Sequence, residues 1–389
     1  MKKIENQNNV LLLADANERA SIATIRALNK SGFRLHIALC QERSSIFSFI
    51  HYIKRDKHEK SLYEYSGISE QEFINSLIKI SRRIGSYILL PSGEKLLRWA
   101  TKNRAQLEDN FITLPIVDFD LYELVSNKSS FLDYASRNGL NIPKRLELIP
   151  KKFDYPYVIK PAQTDWGNAY ILDKPILVEN KHIHDAVIKK SLQEDSHIVE
   201  EYITGPSYYY CALYYHGRVD LSFFQRTILQ EPDGGSVIEA IPYQQPVSLI
   251  KDIDRMFLNL GWNGVMMIEV KKRKDFYYVI ECNPRFWGPL QCALDNGANF
   301  PLRLVQLFSG QSCSPVNSNK LDYFPIIGYR WSLGRLNGLI KRWKTGAKFQ
   351  FFPCNESHRI QFRDIWLRKD SFGFVPLEFG GLLFKILKP

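Results

Sequence analysis

The sequence lacks the features that mark exported, membrane-spanning or zinc-ribbon proteins. Its six cysteines include no CxxC pair, so neither a metal ribbon nor a disulfide framework is expected. The only apolar run among the first fifteen residues, 10–14, is too short for a signal peptide or a membrane span. Internal repeats and low-complexity linkers are also missing. We therefore expect a cytoplasmic chain that is ordered nearly throughout.

Acidic residues are in deficit. The chain has 52 Lys and Arg against 41 Asp and Glu, a net charge of +11, and much of the excess lies in residues 341–369. Such a balance suits nucleic acid, an anionic membrane surface or polyanionic small molecules such as nucleotides. No helix-turn-helix, RNP or zinc pattern is present, so a nucleic-acid partner is not expected. Peripheral membrane contact stays open, because FGGLLFKILK at 379–388 has the pattern of an interfacial amphipathic helix.

The first 115 residues alternate between strand and helix patterns. Residues 10–39 read as a buried strand, an amphipathic helix closed by Gly32, and a second strand. Ser69 and Glu72 form a capping box before a helical apolar stripe, and YILLP at 87–91 supplies another buried strand. This order predicts a small doubly wound parallel sheet.

Beyond residue 115 the pattern becomes α+β. Two helices lead to the strand YPYVIKP at 155–161, and further strands follow, with a hairpin turn predicted at His216-Gly217. A helix is expected near residues 250–260.

A hairpin, GVMMIEVKKRKDFYYVIECNPRF at 264–286, is the most informative segment. Folding it about Asp275 places Glu269 opposite Glu281, and Asn283 shares the face of Glu281. The side chains expected to share this acidic face are apolar or aromatic: Val265, Met267, Tyr277 and Val279. Unpaired carboxylates would be costly there, so either one carboxyl stays protonated or a cation lies between the two.

The cation is the preferred interpretation. Oxygen donors without histidine or cysteine favour Mg²⁺ or Mn²⁺, and magnesium held by few protein groups completes its shell with water and phosphate oxygens. A nucleotide is therefore implied. The alternative is an acidic pair on a solvated strand.

Three cations and one strand extend the candidate site. Arg285 follows Pro284 and suits a phosphate or carboxylate, with a salt bridge to Glu281 as the alternative role. Lys160, on a strand, and Lys128, before a helix, are candidate phosphate contacts. In HIVEEYITG at 197–205, Glu200 is a candidate acceptor for the exocyclic amine of adenine, and the backbone around Ile203 a reader of the ring edge.

These motifs, in this order, resemble the ATP-grasp superfamily. The resemblance covers roughly residues 10–345 and rests on Asn127-Lys128, the lysine of VIKP, VEEYITG, QRTILQEPDGG, MIEV and IECNPR. The chain is similar in these elements to biotin carboxylases and D-alanine:D-alanine ligases. Through NPRFWG and GYRWSLG, it looks most like the carbamoyl-phosphate-synthase-like carboxylate–amine ligases.

The resemblance implies an α/β and α+β chain with an ATP-grasp fold and an N-terminal doubly wound, pre-ATP-grasp domain at 1–115. The ATP-grasp domain would occupy 116–310, with a nucleotide-covering subdomain at about 150–205 and a catalytic core at about 206–310. A basic C-terminal extension, 311–389, would pack on the core.

The implied activity is that of an ADP-forming ligase that depends on ATP and Mg²⁺ or Mn²⁺. It would activate a carboxylate as an acyl phosphate for attack by an amine, so the expected partners are two small molecules. The implied metal ligands are Glu269, Glu281 and Asn283. The implied catalytic residues are Arg285 and Lys160. The implied nucleotide contacts are Lys128, Lys160, Glu200, Glu201, Tyr202, Ile203 and Arg226. A kinase on the same fold, a catalytically silent nucleotide-binding protein and a homodimer stay open.

The chain departs from the family pattern at two places. The loop at 161–170 keeps only Gly167, and Trp166 is expected to cap the site in its stead. Ser207 stands where many relatives carry an acid for the ribose hydroxyls. Glu94 and Arg330 are further candidates for substrate contact.

Overall fold

The computed structural model describes residues 8–14, 18–29, 31–40, 62–65, 69–91, 93–147, 156–162, 175–188, 197–234, 236–310, 326–346, 348–353 and 360–371. Most of the predicted covering loop, with Trp166 and Gly167, lies outside these residues. So does the segment FGGLLFKILK.

The strands of the described residues belong to three sheets. They are β1 (Asn9–Ala14), β2 (Arg34–Cys40), β3 (Leu62–Tyr65), β4 (Tyr87–Pro91), β5 (Ile112–Thr113), β6 (Arg145–Leu146), β7 (Tyr157–Pro161), β8 (Ile176–Val178), β9 (His197–Glu201), β10 (Ser207–Tyr215), β11 (Arg218–Gln230), β12 (Val237–Pro242), β13 (Gly264–Arg273), β14 (Phe276–Asn283), β15 (Ile326–Arg330), β16 (Gln350–Phe351) and β17 (Ile360–Asp364).

Helices cover the sheets. Those of the described residues are α1 (Glu18–Leu28), α2 (Glu70–Ile84), α3 (Glu94–Lys102), α4 (Arg104–Asp109), α5 (Phe119–Ser126), α6 (Lys128–Arg137), α7 (Lys181–Ile188), α8 (Val247–Asn259), α9 (Leu290–Asp295), α10 (Phe300–Phe308) and α11 (Ser332–Thr345). None of them combines the length and the hydropathy needed to cross a membrane.

The N-terminal sheet is parallel and has the order β3-β2-β1-β4-β5. Because the chain moves outward from β1 in both directions, this is the predicted doubly wound sheet. The capping box is present: Ser69 Oγ accepts from the Glu72 amide, and the Glu72 carboxylate accepts from the Ser69 amide. It starts α2 at the predicted place.

The central sheet is larger and mostly antiparallel, with the order β14-β13-β10-β11-β12-β15-β17 and β16 paired to β11. The predicted turn at His216-Gly217 joins β10 to β11, and both residues have positive φ, at 50° and 73°. Its last strands come from the C-terminal part of the chain. That part adds strands to the sheet, in addition to any packing on the core.

A third sheet, β6-β9-β7-β8, is antiparallel and carries α7 over its own small core. It lies within the segment expected to cover a nucleotide.

Two large hydrophobic clusters lie on the two faces of the central sheet, and each also includes residues of the N-terminal sheet. The contact between the two sheets is close: a Cβ at Gly264, whose φ is +103°, would lie 2.6 Å from the Pro115 carbonyl oxygen. A boundary at residue 115 therefore separates two segments that share one core, and the domain limits stay a prediction.

Candidate metal and nucleotide site

The hairpin β13–β14 has the register that the sequence predicts. Glu269 pairs with Glu281 across the two strands, and Met267 pairs with Asn283. Cross-strand partners lie on the same face of a sheet. The two carboxylates and the amide therefore face the same side.

A β-bulge follows the acidic pair. Glu269 pairs with Glu281, but the next residue, Val270, pairs with Val279, so Ile280 is an extra residue on β14. Because a bulge shifts the alternation of side chains by one, Val279 and Tyr277 pack with Val270 on the opposite face. Their predicted place on the acidic face is wrong. The places predicted for Val265 and Met267 are correct, and both belong to the other cluster.

Glu281 is surrounded by donors. Asn283 Nδ2 donates to Glu281 Oε1 at 2.9 Å, and Lys128 Nζ lies 3.4 Å from Glu281 Oε2. Arg285 Nη2 donates to Asn283 Oδ1 at 3.1 Å, so among the described contacts it reaches the amide and forms no salt bridge with Glu281. Burial acts to raise the pKa of Glu281, but Lys128 and the other donors outweigh it and lower this pKa to about 2.

Glu269 is in the opposite electrostatic state. Burial, and then the charge of Glu281, raise the pKa of Glu269. Ser207 Oγ donates to Glu269 Oε1 at 2.6 Å. This hydroxyl, which occupies the family's ribose-acid position, therefore orients a candidate metal ligand. The two carboxylates together match the predicted choice between a shared proton and a bound cation.

Lys271 is a further buried cation that the sequence interpretation missed. It donates to the Gly205 carbonyl oxygen at 3.2 Å, and burial lowers its pKa. Because it lies two residues from Glu269 on one strand, the alternation of β13 was the available signal.

Lys160 and Glu200 form a buried ion pair, Nζ to Oε2 at 2.7 Å, with side-chain exposures of 4% and 1%. Lys160 also donates to the carbonyl oxygen of the bulged Ile280 at 3.1 Å. The lysine thus links the small sheet to the acidic hairpin. Glu200 Oε1 is buried and has no hydrogen-bond partner in the described structure, a state that suits an incoming N–H donor.

The rest of the predicted adenine segment is divided between surface and core. Glu201 pairs with Arg273 at 2.7 Å and accepts from the Lys144 amide at 3.0 Å, so its carboxylate is already used between strands. Tyr202 is half-buried, and Ile203 is buried. Their predicted nucleotide contacts stay predictions.

Arg226 is not brought to the acidic cluster. Its cross-strand neighbour is Tyr208, which belongs to the opposite face, and its Nη2 donates to the Pro353 carbonyl oxygen at 3.0 Å. The neighbouring Gln225 pairs with Tyr209, which pairs with Glu269.

Gln225 therefore shares the acidic face, about 10 Å from Glu269 along one rung of the sheet. It is fully buried, and neither amide atom has a hydrogen-bond partner in the described part of the chain. The motif QRTILQ thus contributes a candidate ligand group one residue before the predicted one.

Arg285 also contacts the N-terminal sheet. It lines a small cavity, together with Pro91 at the carboxyl end of β4 and with Leu97, Ile116 and Phe286. Such strand ends are common ligand sites in parallel sheets.

Glu94 begins the helix that follows β4. Burial, and then the charge of Glu94, raise the pKa of Tyr122, while Arg285 opposes them. Glu94 and Arg285 therefore act on the same hydroxyl. Arg330 is elsewhere, on β15, paired with Glu239 at 2.8 Å.

The donor set fits a hard cation. The described residues include no group of three His, Cys, Asp or Glu side chains placed to hold a metal ion, and the cluster offers two carboxylates and one amide oxygen. This is the incomplete oxygen set that magnesium completes with water and phosphate.

Comparison with known proteins identifies the architecture. No protein-family model matches the chain, and no curated protein matches it by sequence. Among solved structures, an L-amino acid ligase from Bacillus licheniformis matches with a TM-score of 0.57 and 16% identity over 81% of this chain and 76% of its own.

Two further structures were solved with ADP. The biotin carboxylase domain dimer of Hydrogenobacter thermophilus 2-oxoglutarate carboxylase, in complex with MgADP, ADP and bicarbonate, matches at 0.61 and 15% identity over 79% and 71% of the two chains. N5-carboxyaminoimidazole synthetase from Staphylococcus aureus, complexed with ADP, matches at 0.59 and 10% identity over 81% and 80%. With its acidic hairpin and three sheets, the chain described here has the ATP-grasp fold.

Proposed function

We propose that this protein is an ADP-forming ligase that uses ATP and Mg²⁺ to activate a small-molecule carboxylate as an acyl phosphate, which an amine then attacks. The observation that carries the proposal is the buried pair Glu269 and Glu281, facing each other beside Asn283 and within reach of Lys128. A buried acidic pair of this kind is stabilised by a divalent cation that carries phosphate.

Each group has a proposed role toward the nucleotide. Glu269, Glu281 and Asn283 would hold the metal ion, which when bound neutralises charge on the phosphates. Lys128 would move from Glu281 toward a phosphate oxygen, because the metal ion replaces it as the counter-charge. The free Oε1 of Glu200 would accept the adenine amine, and Gln225 would donate to the nucleotide.

The carboxylate substrate is proposed to lie between Arg285 and the carboxyl end of β4. The Arg285 guanidinium can bind a carboxylate bidentately, and the adjacent cavity wall is apolar. The oxygen of the carboxylate would attack the γ-phosphorus, the bond from that phosphorus to the bridging oxygen of ADP would break, and an acyl phosphate would form. The amine nitrogen would then displace inorganic phosphate and lose its proton to solvent. No covalent bond to a protein side chain is required.

Trapping with hydroxylamine tests the proposal. Incubation of the protein with Mg·ATP, a panel of amino acids and sugar acids, and hydroxylamine should yield a hydroxamate and ADP. Formation of AMP would contradict the mechanism. A stable phosphorylated alcohol without ligation would identify the alternative kinase. Nucleotide binding with no ADP over the whole panel would identify a silent binding protein.

Two broader expectations are carried as proposals. Cys211, Cys282 and Cys292 are buried free thiols, which supports the reducing cytoplasm as the location. The Hydrogenobacter domain is a dimer, and a homodimer of this chain is a hypothesis that its solution mass tests.

A further inference from the structure

A cavity of about 830 Å³ lies at the far edge of the central sheet from the acidic hairpin. Its walls come from the ends of β15 and β17, the first turn of α11 and the segment that follows β17. They are formed by Arg330, Ser332, Phe362, Arg363, Asp364, Leu367, Arg368, Lys369 and Asp370. The volume falls within the range of small-molecule sites, roughly 300–1,000 Å³.

The cavity is placed where parallel strands end. β15 and β17 are the parallel pair of this sheet, with Arg330 opposite Asp364 at their carboxyl ends. Carboxyl ends of parallel strands, followed by a helix, are common ligand sites because side chains and amides converge there. In this case the amide of Ser332 donates to Asp364 Oδ2 at 2.7 Å. The helix terminus is therefore already satisfied, and the side chains must supply the binding groups.

The acidic groups of the cavity are neutralised internally. Asp364 Oδ1 accepts from the amides of Trp366 and Leu367 at 2.7 and 3.0 Å. Asp370 pairs with Arg26 at 2.8 Å, and that contact lowers the pKa of Asp370 against the effect of burial. Neither carboxylate is free to neutralise a cation of the cavity.

The basic groups are only partly neutralised. Arg368 pairs with Asp295, and Arg330 pairs with Glu239. Arg363 and Lys369 form no ion pair with any residue in the described ranges. The cavity thus carries two uncompensated positive charges on its rim.

The wall also provides an aromatic surface. The Arg330 guanidinium carbon lies 4.8 Å from the ring centroid of Phe362, so a guanidinium and a ring stack within the cavity. The exposed side chain of Leu367, at 51%, adds apolar area. A ligand that matches these features has two negative charges and a flat or apolar body.

We propose that this cavity binds a small organic dianion, a phosphate monoester or a dicarboxylate with an aromatic body, through Arg363, Lys369 and the Arg330–Phe362 stack. Four strand spacings separate β13 from β15, which places the cavity about 20 Å from Glu269. The site is therefore distinct from the nucleotide site, and binding there requires neither ATP nor Mg²⁺.

Calorimetric titration of the full chain, without nucleotide or metal, tests this proposal. The probes are phenyl phosphate and phthalate as dianions, benzoate as a monoanion and benzyl alcohol as a neutral ring. At least one dianion should bind, more tightly than benzoate, with benzyl alcohol weakest and with affinity that falls as salt is added. The arm that binds tells a phosphate ester from a dicarboxylate.

Two substitutions and a control locate the site. R363Q and K369Q together should weaken the bound dianion by about tenfold or more, since each removes one charged contact. Both side chains are exposed, so thermal unfolding should not change. R342Q is the matched control, because it removes an exposed cation of α11 that does not line the cavity. Equal binding by the double variant, or no binding of either dianion, would overturn the proposal. Neither result depends on ligase activity.

Discussion

Two acidic regions of the molecule differ in how their charge is balanced. Asp220 on β11 accepts from Arg303 on α10 through two hydrogen bonds of 2.6 Å each, with side-chain exposures of 13% and 7%. On β13 and β14, Glu269 faces Glu281, a group of the same sign. The first region is neutral as folded, whereas the second holds two acids whose pKa values move in opposite directions.

The difference separates a structural role from a functional one. A matched ion pair needs nothing from solution, and removing one partner leaves a buried charge. A facing acidic pair is completed by a cation that the fold itself does not supply. The arrangement around Glu269 and Glu281 therefore costs stability in the free protein and is available for binding.

The largest expected effect is on catalysis. E281Q removes a carboxylate while keeping its shape, and ADP formation should fall by about 10³-fold, because metal-ion stabilisation of the phosphates amounts to several kcal/mol. Steady-state ADP release and Mg·ATP titration measure the effect. D275N, at the exposed tip of the same hairpin, is the control and should behave as the unaltered protein. Unchanged Mg·ATP affinity in E281Q would remove the basis of the ligase proposal.

The matched pair should show the reverse pattern. D220A should lower the free energy of unfolding by about 3 kcal/mol, because Arg303 is left buried without its counter-charge. Urea denaturation measures this loss. Removing both charges, as D220L with R303M, should recover most of the stability. Activity per folded molecule should not change, and a large loss of nucleotide affinity in D220A would show that the two regions are coupled.

Gln225 allows a sharper separation of stability from function. Its amide is buried and unpartnered, so Q225M should leave the free energy of unfolding unchanged or raise it. If Gln225 contacts the nucleotide, the KM for ATP should rise about tenfold.

Gln291 is the matched control for this substitution. It is equally buried, but its amide donates to Asp295 and accepts from Arg26. Q291M should therefore lose stability without a change in the KM for ATP. A stability loss in Q225M with an unchanged KM would assign that glutamine to the core.

The smallest effect is expected at the partly exposed pair Glu201–Arg273. The hydrogen bond from Arg273 lowers the pKa of Glu201, so the pair stabilises the fold above the ordinary pKa of 4.5. This contribution is lost as the pH falls through the lower, folded-state value. E201Q should cost about 0.5 kcal/mol near neutral pH. The unfolding curves of the variant and the unaltered protein should converge in acid, and a constant difference at all pH values would contradict the assignment.

The acidic hairpin was predictable because it is local. Glu269 and Glu281 are joined by one short turn, and alternation along two consecutive strands suffices to place them opposite each other. The same reasoning failed four residues on, at Tyr277, because Ile280 forms a bulge that no composition signal announced. It also chose Arg226, when the pairing of β11 with β10 turns Gln225 to the acidic face.

The sequence by itself determined the oxygen donors of the site, the parallel N-terminal sheet and the hairpin, since each depends on residues close together in the chain. Only the tertiary structure decided which face of β11 meets the acids, that Lys160 pairs with Glu200, and that β15 and β17 end in one basic cavity. These features depend on strands and side chains far apart in sequence, and their pairing follows from packing the whole core, which no local periodicity encodes.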